Sequence, residues 1–400
     1  MPPLNPLTRR AFVAGLGLTA TLARLAPPAS AQTDAIQVIH ARQTGYDGAA
    51  PGPVLSLRRG EELKVRLVND LSAPTAVHWH GVRVPSAMDG TALAQSPVAP
   101  GASCDYRFAP PDAGTFWYHP LPRTPQTRAL HGLLIVRETN PPRVDEDILL
   151  MIDGGADGFT VNGKAVPEIP LWPKYRYRMR CVNAAERIVA LRVENHPMAV
   201  IAIDGQPAEP FMARQGITLA PGSRVDVLID ATLKPESVAA ILVRTEAGEV
   251  PLAQLKYGDG VVSPTATMPD GYAGETIKPL EPNSLPERMD FRNALRVDLD
   301  PNAPDASLPA KPLFTVKRGR TVQLAIRNAS EQATVLHIHG HHVRLLDRLD
   351  DGWKPFWLDT LLCAPRQTLR VAFVADNPGK WPISARPLGG GDGFTWFEVT

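Results

Sequence analysis

A chain of 400 residues is too long for one hydrophobic core and implies two or three domains, at about 150 residues each. Lys+Arg total 42 and Asp+Glu 41, a net charge of +1 without any basic or acidic run, which excludes nucleic acid and anionic membrane as expected partners. With 41 prolines and 31 glycines the chain suits short strands and turns, so an all-β architecture is expected.

The N-terminus reads Thr8-Arg9-Arg10-Ala11-Phe12-Val13, continues apolar from Ala14 to Leu25 and closes on Ala29-Ser30-Ala31. A basic start, an apolar run too short for a bilayer and an Ala-x-Ala end predict a cleavable signal over residues 1–31, with the mature chain starting near Gln32. Paired arginines ahead of the apolar core point to twin-arginine export, which carries folded proteins, and so to the periplasm. No later segment reaches the ~20 apolar residues of a membrane span.

Residues 63–68, 177–182 and 322–327 alternate apolar and polar side chains, as half-buried strands do. Each runs into an asparagine, Asn69, Asn183 or Asn328. A turn ahead of an apolar strand also recurs, at Ala99-Pro100-Gly101, Ala220-Pro221-Gly222 and Ala364-Pro365-Arg366. The spacing, roughly 115–145 residues, suits one β-sandwich per repeat. It predicts modules over 32–140 and 141–264, a Pro-rich, polar linker over 265–311, and a third module over 312–400. Cys104, Cys181 and Cys363 have no metal-ligand spacing and read as small buried apolar residues. An oxidising compartment permits a disulfide but leaves one cysteine over.

Seven of the ten histidines fall into His78-Trp79-His80, Trp117-Tyr118-His119 and His337-Ile338-His339-Gly340-His341-His342. Residues i and i+2 of a strand share a face, so His78 with His80, and His337 with His339, present two imidazoles side by side. Imidazole suits copper, zinc, iron and nickel. One such pair reads equally as hydrogen-bonded histidines; two pairs and a third group favour a metal.

These residues, with Met88-Asp89-Gly90 and Gly114-Thr115-Phe116 in the first module, Ile203-Asp204-Gly205 and Ala220-Pro221-Gly222-Ser223-Arg224 in the second, and Asp376-Asn377-Pro378-Gly379-Lys380-Trp381 in the third, resemble the multicopper oxidases. That family comprises laccases, bilirubin oxidases and periplasmic cuprous oxidases. The resemblance implies three consecutive cupredoxin-like Greek-key β-sandwich domains. It also implies eight histidines from the first and third domains around a three-copper cluster, and a separate blue copper that admits electrons. Here His78, His80, His119, His337 and His339 match the cluster pattern, whereas Leu121, Ser384 and Arg386 stand at the other three positions. On the family's ligand sets, one copper position keeps both its histidines, His78 and His337. A second keeps His80 and His119 but faces Arg386, and the third keeps His339 alone, opposite Leu121 and Ser384. Leucine has no donor atom and a guanidinium does not coordinate a metal. The blue copper fares worse: Ala385 matches its thiolate and Thr334 one of its histidines.

The expectation is a periplasmic protein with one or two coppers between its first and third domains and no blue copper, acting in copper handling or an unconventional oxidoreductase step. Binding is expected to weaken as pH falls through about 6.5. His131, His341 and His342 are candidate replacement ligands, with hydrogen-bonding or packing as their other reading, and Arg386 is a candidate ion-pair partner. A metal-free scaffold similar to exported cell-division accessory proteins, with no cofactor, is a second reading, and a conventional copper-dependent oxidase a third. The partner is a small molecule, a metal ion or a periplasmic protein.

Overall fold

The computed structural model describes residues 35–155, 158–259, 271–272, 275–302, 307–346 and 356–400; the predicted signal at 1–31 lies outside them. The helical elements among them are two 3-10 turns, Ser86–Met88 and Pro125–Thr127. No helix among the described residues is long and apolar enough to cross a membrane.

Six sheets form three β-sandwiches with one wiring. The strand Gln37–Arg42 pairs parallel with Leu63–Asn69, Glu146–Gly155 with Arg176–Asn183, and Leu295–Leu299 with Thr321–Arg327. The second strand of each pair then runs antiparallel to Ser103–Phe108, Arg224–Asp230 or Thr368–Val374. These inner strands are the ones predicted by alternation; in Leu63–Asn69, Leu63, Val65 and Leu67 point inward while Arg66 faces solvent. Leu295–Leu299 falls inside the stretch 265–311 expected as a linker. Its alternation of Leu295, Val297 and Leu299 with Arg296 and Asp298 is that of a strand, obscured in the sequence by proline-rich and polar flanks.

The asparagine repeat has one structural cause. Asn69 Nδ2 donates to Ala73 O (2.9 Å) and Val98 O (2.8 Å), Asn183 Nδ2 to Arg187 O (3.0 Å) and Leu219 O (2.9 Å), and Asn328 Nδ2 to Gln332 O (2.7 Å) and Cys363 O (3.1 Å). In each case Oδ1 accepts from the amide two residues on, at 3.0 Å. Each asparagine thus ties the end of its strand to the Ala-Pro turn region, where Gly101 (φ 74°), Gly222 (φ 88°) and Arg366 (φ 58°) occupy the left-handed region. Removing three buried bonds at about 1 kcal/mol each, Asn183→Ala is expected to lower stability by about 3 kcal/mol, read as a urea-midpoint shift.

The second sandwich has its own apolar core around Met179, Val227 and Ile241. The first and third share one continuous cluster that runs from Trp79 and Phe116 to Leu336, Trp381 and Phe397. All three meet at Arg224, which is fully buried. Its guanidinium forks onto both carboxylate oxygens of Asp359 in the third sandwich and donates to Asp204 O (2.9 Å) in its own and Thr115 O (3.4 Å) in the first.

Candidate metal centre

Alternation places the histidines. In the strand His78–His80, Trp79 turns into the core against Tyr106 and Phe108, so both histidines face the other way. His119 ends the strand Gly114–His119 directly opposite His78. His337 lies in Thr334–Ile338 opposite Ser384, and His339 follows one residue past the strand's end. All five imidazoles are buried and converge where the first and third sandwiches meet. Three groups bring their donor atoms within 4.8 Å of one another: His78, His337 and His339; His78, His80 and His119; and His80, His337 and Asp359.

Hydrogen bonds on the outer ring nitrogens fix which atom faces inward. His78 Nδ1 lies 3.2 Å from Asp89 O, His337 Nδ1 3.1 Å from Asp359 O, His119 Nδ1 2.7 Å from Pro120 O and His339 Nδ1 2.9 Å from Asp89 Oδ2. All four partners accept, so these Nδ1 atoms carry the proton and their Nε2 atoms are bare. His80 is reversed: Thr360 donates its hydroxyl to Asp359 Oδ1 (2.7 Å) and so accepts from His80 Nε2 (2.9 Å), leaving His80 Nδ1 bare. Two pairs of bare nitrogens then face each other, His78 Nε2 and His337 Nε2 at 3.1 Å, and His80 Nδ1 and His119 Nε2 at 3.2 Å. Neutral imidazoles have no hydrogen for either contact, whereas a cation between each pair satisfies both. His339 Nε2 is buried without a hydrogen-bond partner. The donor set therefore fits a metal that takes imidazole, including copper.

Burial, the largest cause, pushes His80 and His119 well below the ordinary imidazole value, lowers His337 and takes His339 to about 3. Burial also pushes the Asp89 carboxyl up, but His339 and His78 beside it outweigh that and hold it ionised. The competition from protons expected near pH 6.5 is accordingly displaced downward. The sign for stability follows: below about 6.5 the unfolded chain binds protons that the folded chain refuses, so the metal-free protein loses stability as pH falls. The slope is about 1.4 kcal/mol per pH unit per such histidine, continuing for each down to its folded value. A denaturant midpoint that stays constant between about pH 6.5 and about pH 5 contradicts this.

The residues that the resemblance sets at the blue-copper position, Thr334 and Ala385, offer neither an imidazole nor a thiolate. Thr334 is buried with its hydroxyl bonded to Asn302 Oδ1 (3.1 Å), and Ala385 is buried on the neighbouring strand. Cys363 pairs with Thr334 across the sheet, but its Sγ contacts Gln367 O at 3.6 Å and burial raises its thiol. All three cysteines are free.

Leu121, Ser384 and Arg386 border a cavity of about 70 Å³ beside His78, His80, His119 and His337. Arg386 forks onto Asp392 at 2.6 and 2.7 Å and reaches Glu186 at 3.3 Å. The candidate replacements turn elsewhere. His131 Nδ1 bonds Arg128 O (2.9 Å), His341 packs on Phe373, Trp381 and Phe397, and His342 Nε2 lies 3.2 Å from Asp359. None of the three belongs to the convergent groups found among the described residues. Sequence reasoning missed the roles of Asp89 and Asp359; Met88-Asp89-Gly90 carried the only signal, since carboxylates that orient ligands follow no local spacing.

Three models of the multicopper oxidase family match this chain, over residues 30–141, 116–255 and 281–384. A multicopper oxidase of Mycobacterium tuberculosis is 26% identical over 413 residues, covering 84% of this chain and 78% of the relative. One from Staphylococcus aureus is also 26% identical, covering 84% and 79%. Among solved structures, a protein from a marine microbial metagenome is 30% identical with a TM-score of 0.79, covering 91% of this chain and all of its own. A multi-copper oxidase from Pseudomonas thermotolerans is 28% identical with a TM-score of 0.78, covering 89% of this chain and 93% of its own. Copper binding is implied by this kinship. The chain belongs to the multicopper oxidase family.

Proposed function

We propose that this protein is exported by the twin-arginine route to the periplasm, and that it holds one copper, or at most two, between its first and third sandwiches without a blue copper. His78 and His337 hold the first ion, with His80, His119 and His339 around it. Copper there supplies one-electron chemistry and open coordination positions. The residues supply the rest: Asp89 and the Asp359 carbonyl fix the ring orientation, and burial keeps His80, His119, His337 and His339 neutral. With no relay to accept electrons from a bulky donor, the role is copper handling or an oxidoreductase step on a molecule that reaches the site directly.

The single observation behind this reading is the pair of bare nitrogens, His78 Nε2 and His337 Nε2, 3.1 Å apart. The Arg9-Arg10 leader supports the export route. Metal stoichiometry with electron paramagnetic resonance on protein matured in copper-supplemented periplasm tests it. About one non-blue copper per chain is expected. No bound metal supports a scaffold instead, and a blue band with several coppers supports a conventional oxidase.

A further inference from the structure

A second cavity, of about 580 Å³, lies between the first and second sandwiches and shares no lining residue with the histidine site. In the strand Arg176–Asn183, Tyr177, Met179 and Cys181 join the core of the second sandwich, so Arg178 and Arg180 face the other way, toward the first. Both are buried. Arg178 directs Nε to Asp226 (3.0 Å) and Nη2 to Glu138 (2.7 Å) and Asp226 (2.6 Å). Arg180 directs Nε to Asp147 (2.8 Å) and Nη1 to Thr115 (3.0 Å) and Asp226 (3.2 Å). The remaining nitrogens, Arg178 Nη1 and Arg180 Nη2, donate to no protein atom, and neither is closed off from the cavity that their side chains line. Arg180 Nη2 lies 4.0 Å from Glu138 Oε2, beyond hydrogen-bonding reach.

The mouth carries three more guanidinium groups. Arg58 and Arg137 are partners in adjacent parallel strands, and Arg59 follows. Like charges set opposite one another across two strands repel. Among the described residues no carboxylate pairs with any of the three; Arg59 Nη1 reaches only Pro282 O, at 3.4 Å. Five carboxylates line the same cavity, so its wall is neutral in sum. Four of them already accept bonds: Glu138 and Asp147 from the floor arginines, Glu61 from Arg58 N (2.8 Å) and Asp145 from Arg176 N (2.8 Å). Glu146 is the fifth. The guanidinium N–H groups at floor and mouth are thus the donors open to a ligand, and a planar carboxylate takes two parallel N–H bonds from such groups. Pro141, Pro142 and Val144 add an apolar strip, and the volume is within the ~300–1,000 Å³ of small-molecule sites.

We propose that this cavity binds an organic dicarboxylate. One carboxylate lies on Arg178 Nη1 and Arg180 Nη2 at the floor, the other among Arg58, Arg59 and Arg137 at the mouth, and the hydrocarbon between them on the prolines. The site is independent of the metal reading. Because its floor belongs to the second sandwich and Arg58, Arg59 and Arg137 to the first, the ligand ties the two together and stabilises the folded chain by mass action.

Succinate is the probe, titrated calorimetrically into the full mature chain at constant ionic strength, with sodium chloride as the blank. Saturable binding of one succinate per chain is expected. Replacing two exposed residues that form no ion pair, Arg58→Gln with Arg59→Gln, is expected to weaken it about tenfold, as loss of a charge-assisted bond does. Acetate, with a single carboxylate, is expected to bind at least about tenfold more weakly than succinate. Equal succinate affinity in the parent and the double variant overturns the site, as does the absence of saturable binding up to about 10 mM. Acetate or inorganic phosphate held as tightly as succinate overturns the assignment to a dicarboxylate.

Discussion

Replacing Arg224 by methionine is expected to remove about 3–5 kcal/mol of stability from the metal-free protein, because it leaves the Asp359 carboxylate buried without its partner. The effect should exceed that of any single apolar truncation at the surface, since Arg224 and Asp359 are both fully buried and bind groups from all three sandwiches. Changing Asp359 to leucine in the same background is expected to recover much of the loss, as an apolar pair of similar volume carries no uncompensated charge. Denaturant midpoints for the two variants, followed by tryptophan fluorescence, decide the point. A single variant that costs under about 1 kcal/mol would show that water reaches the pair and screens it.

Changing His78 and His337 together to alanine is expected to abolish tight copper binding. The loss should be greater than the ~10–100-fold seen when only an orienting partner is altered, because the ligands themselves are gone. Asp89→Asn provides that smaller comparison: it keeps the backbone carbonyl at His78 Nδ1 and weakens the carboxylate contact to His339 Nδ1. Competition against a chelator of known affinity ranks the three proteins. If the double variant competes as well as the parent, copper lies elsewhere in the chain.

The fold was legible where side chains repeat with the period of the backbone. Residues 63–68, 177–182 and 322–327 announce inner strands because one face of each meets a core, and the His-x-His spacing brings each pair together for the same reason. The strand Leu295–Leu299 was hidden because only five residues carry its signal between polar and proline-rich flanks. Asn69, Asn183 and Asn328 marked the repeat without disclosing that their side chains hold the turns.

At the site, the five histidines could be named from the sequence but their protonation pattern could not. That pattern depends on oxygens brought in by the fold: Asp89 is eleven residues from His78 and Asp359 twenty-two from His337, while Asp89 and His339 are 250 apart. Arg386 was a candidate ion-pair partner, and the structure sets it against the carboxylates of Asp392 and Glu186.

His78 and His337 lie 259 residues apart in the chain yet form one contact. During synthesis at about 5–20 residues per second, the second emerges roughly 13–50 s after the first. Throughout that interval the growing polypeptide has half of the pair and no enclosing partner sandwich. On the copper reading proposed above, closing of the His78–His337 pair is therefore a late event that waits for the third sandwich, while a fragment ending before it has only the group His78, His80 and His119.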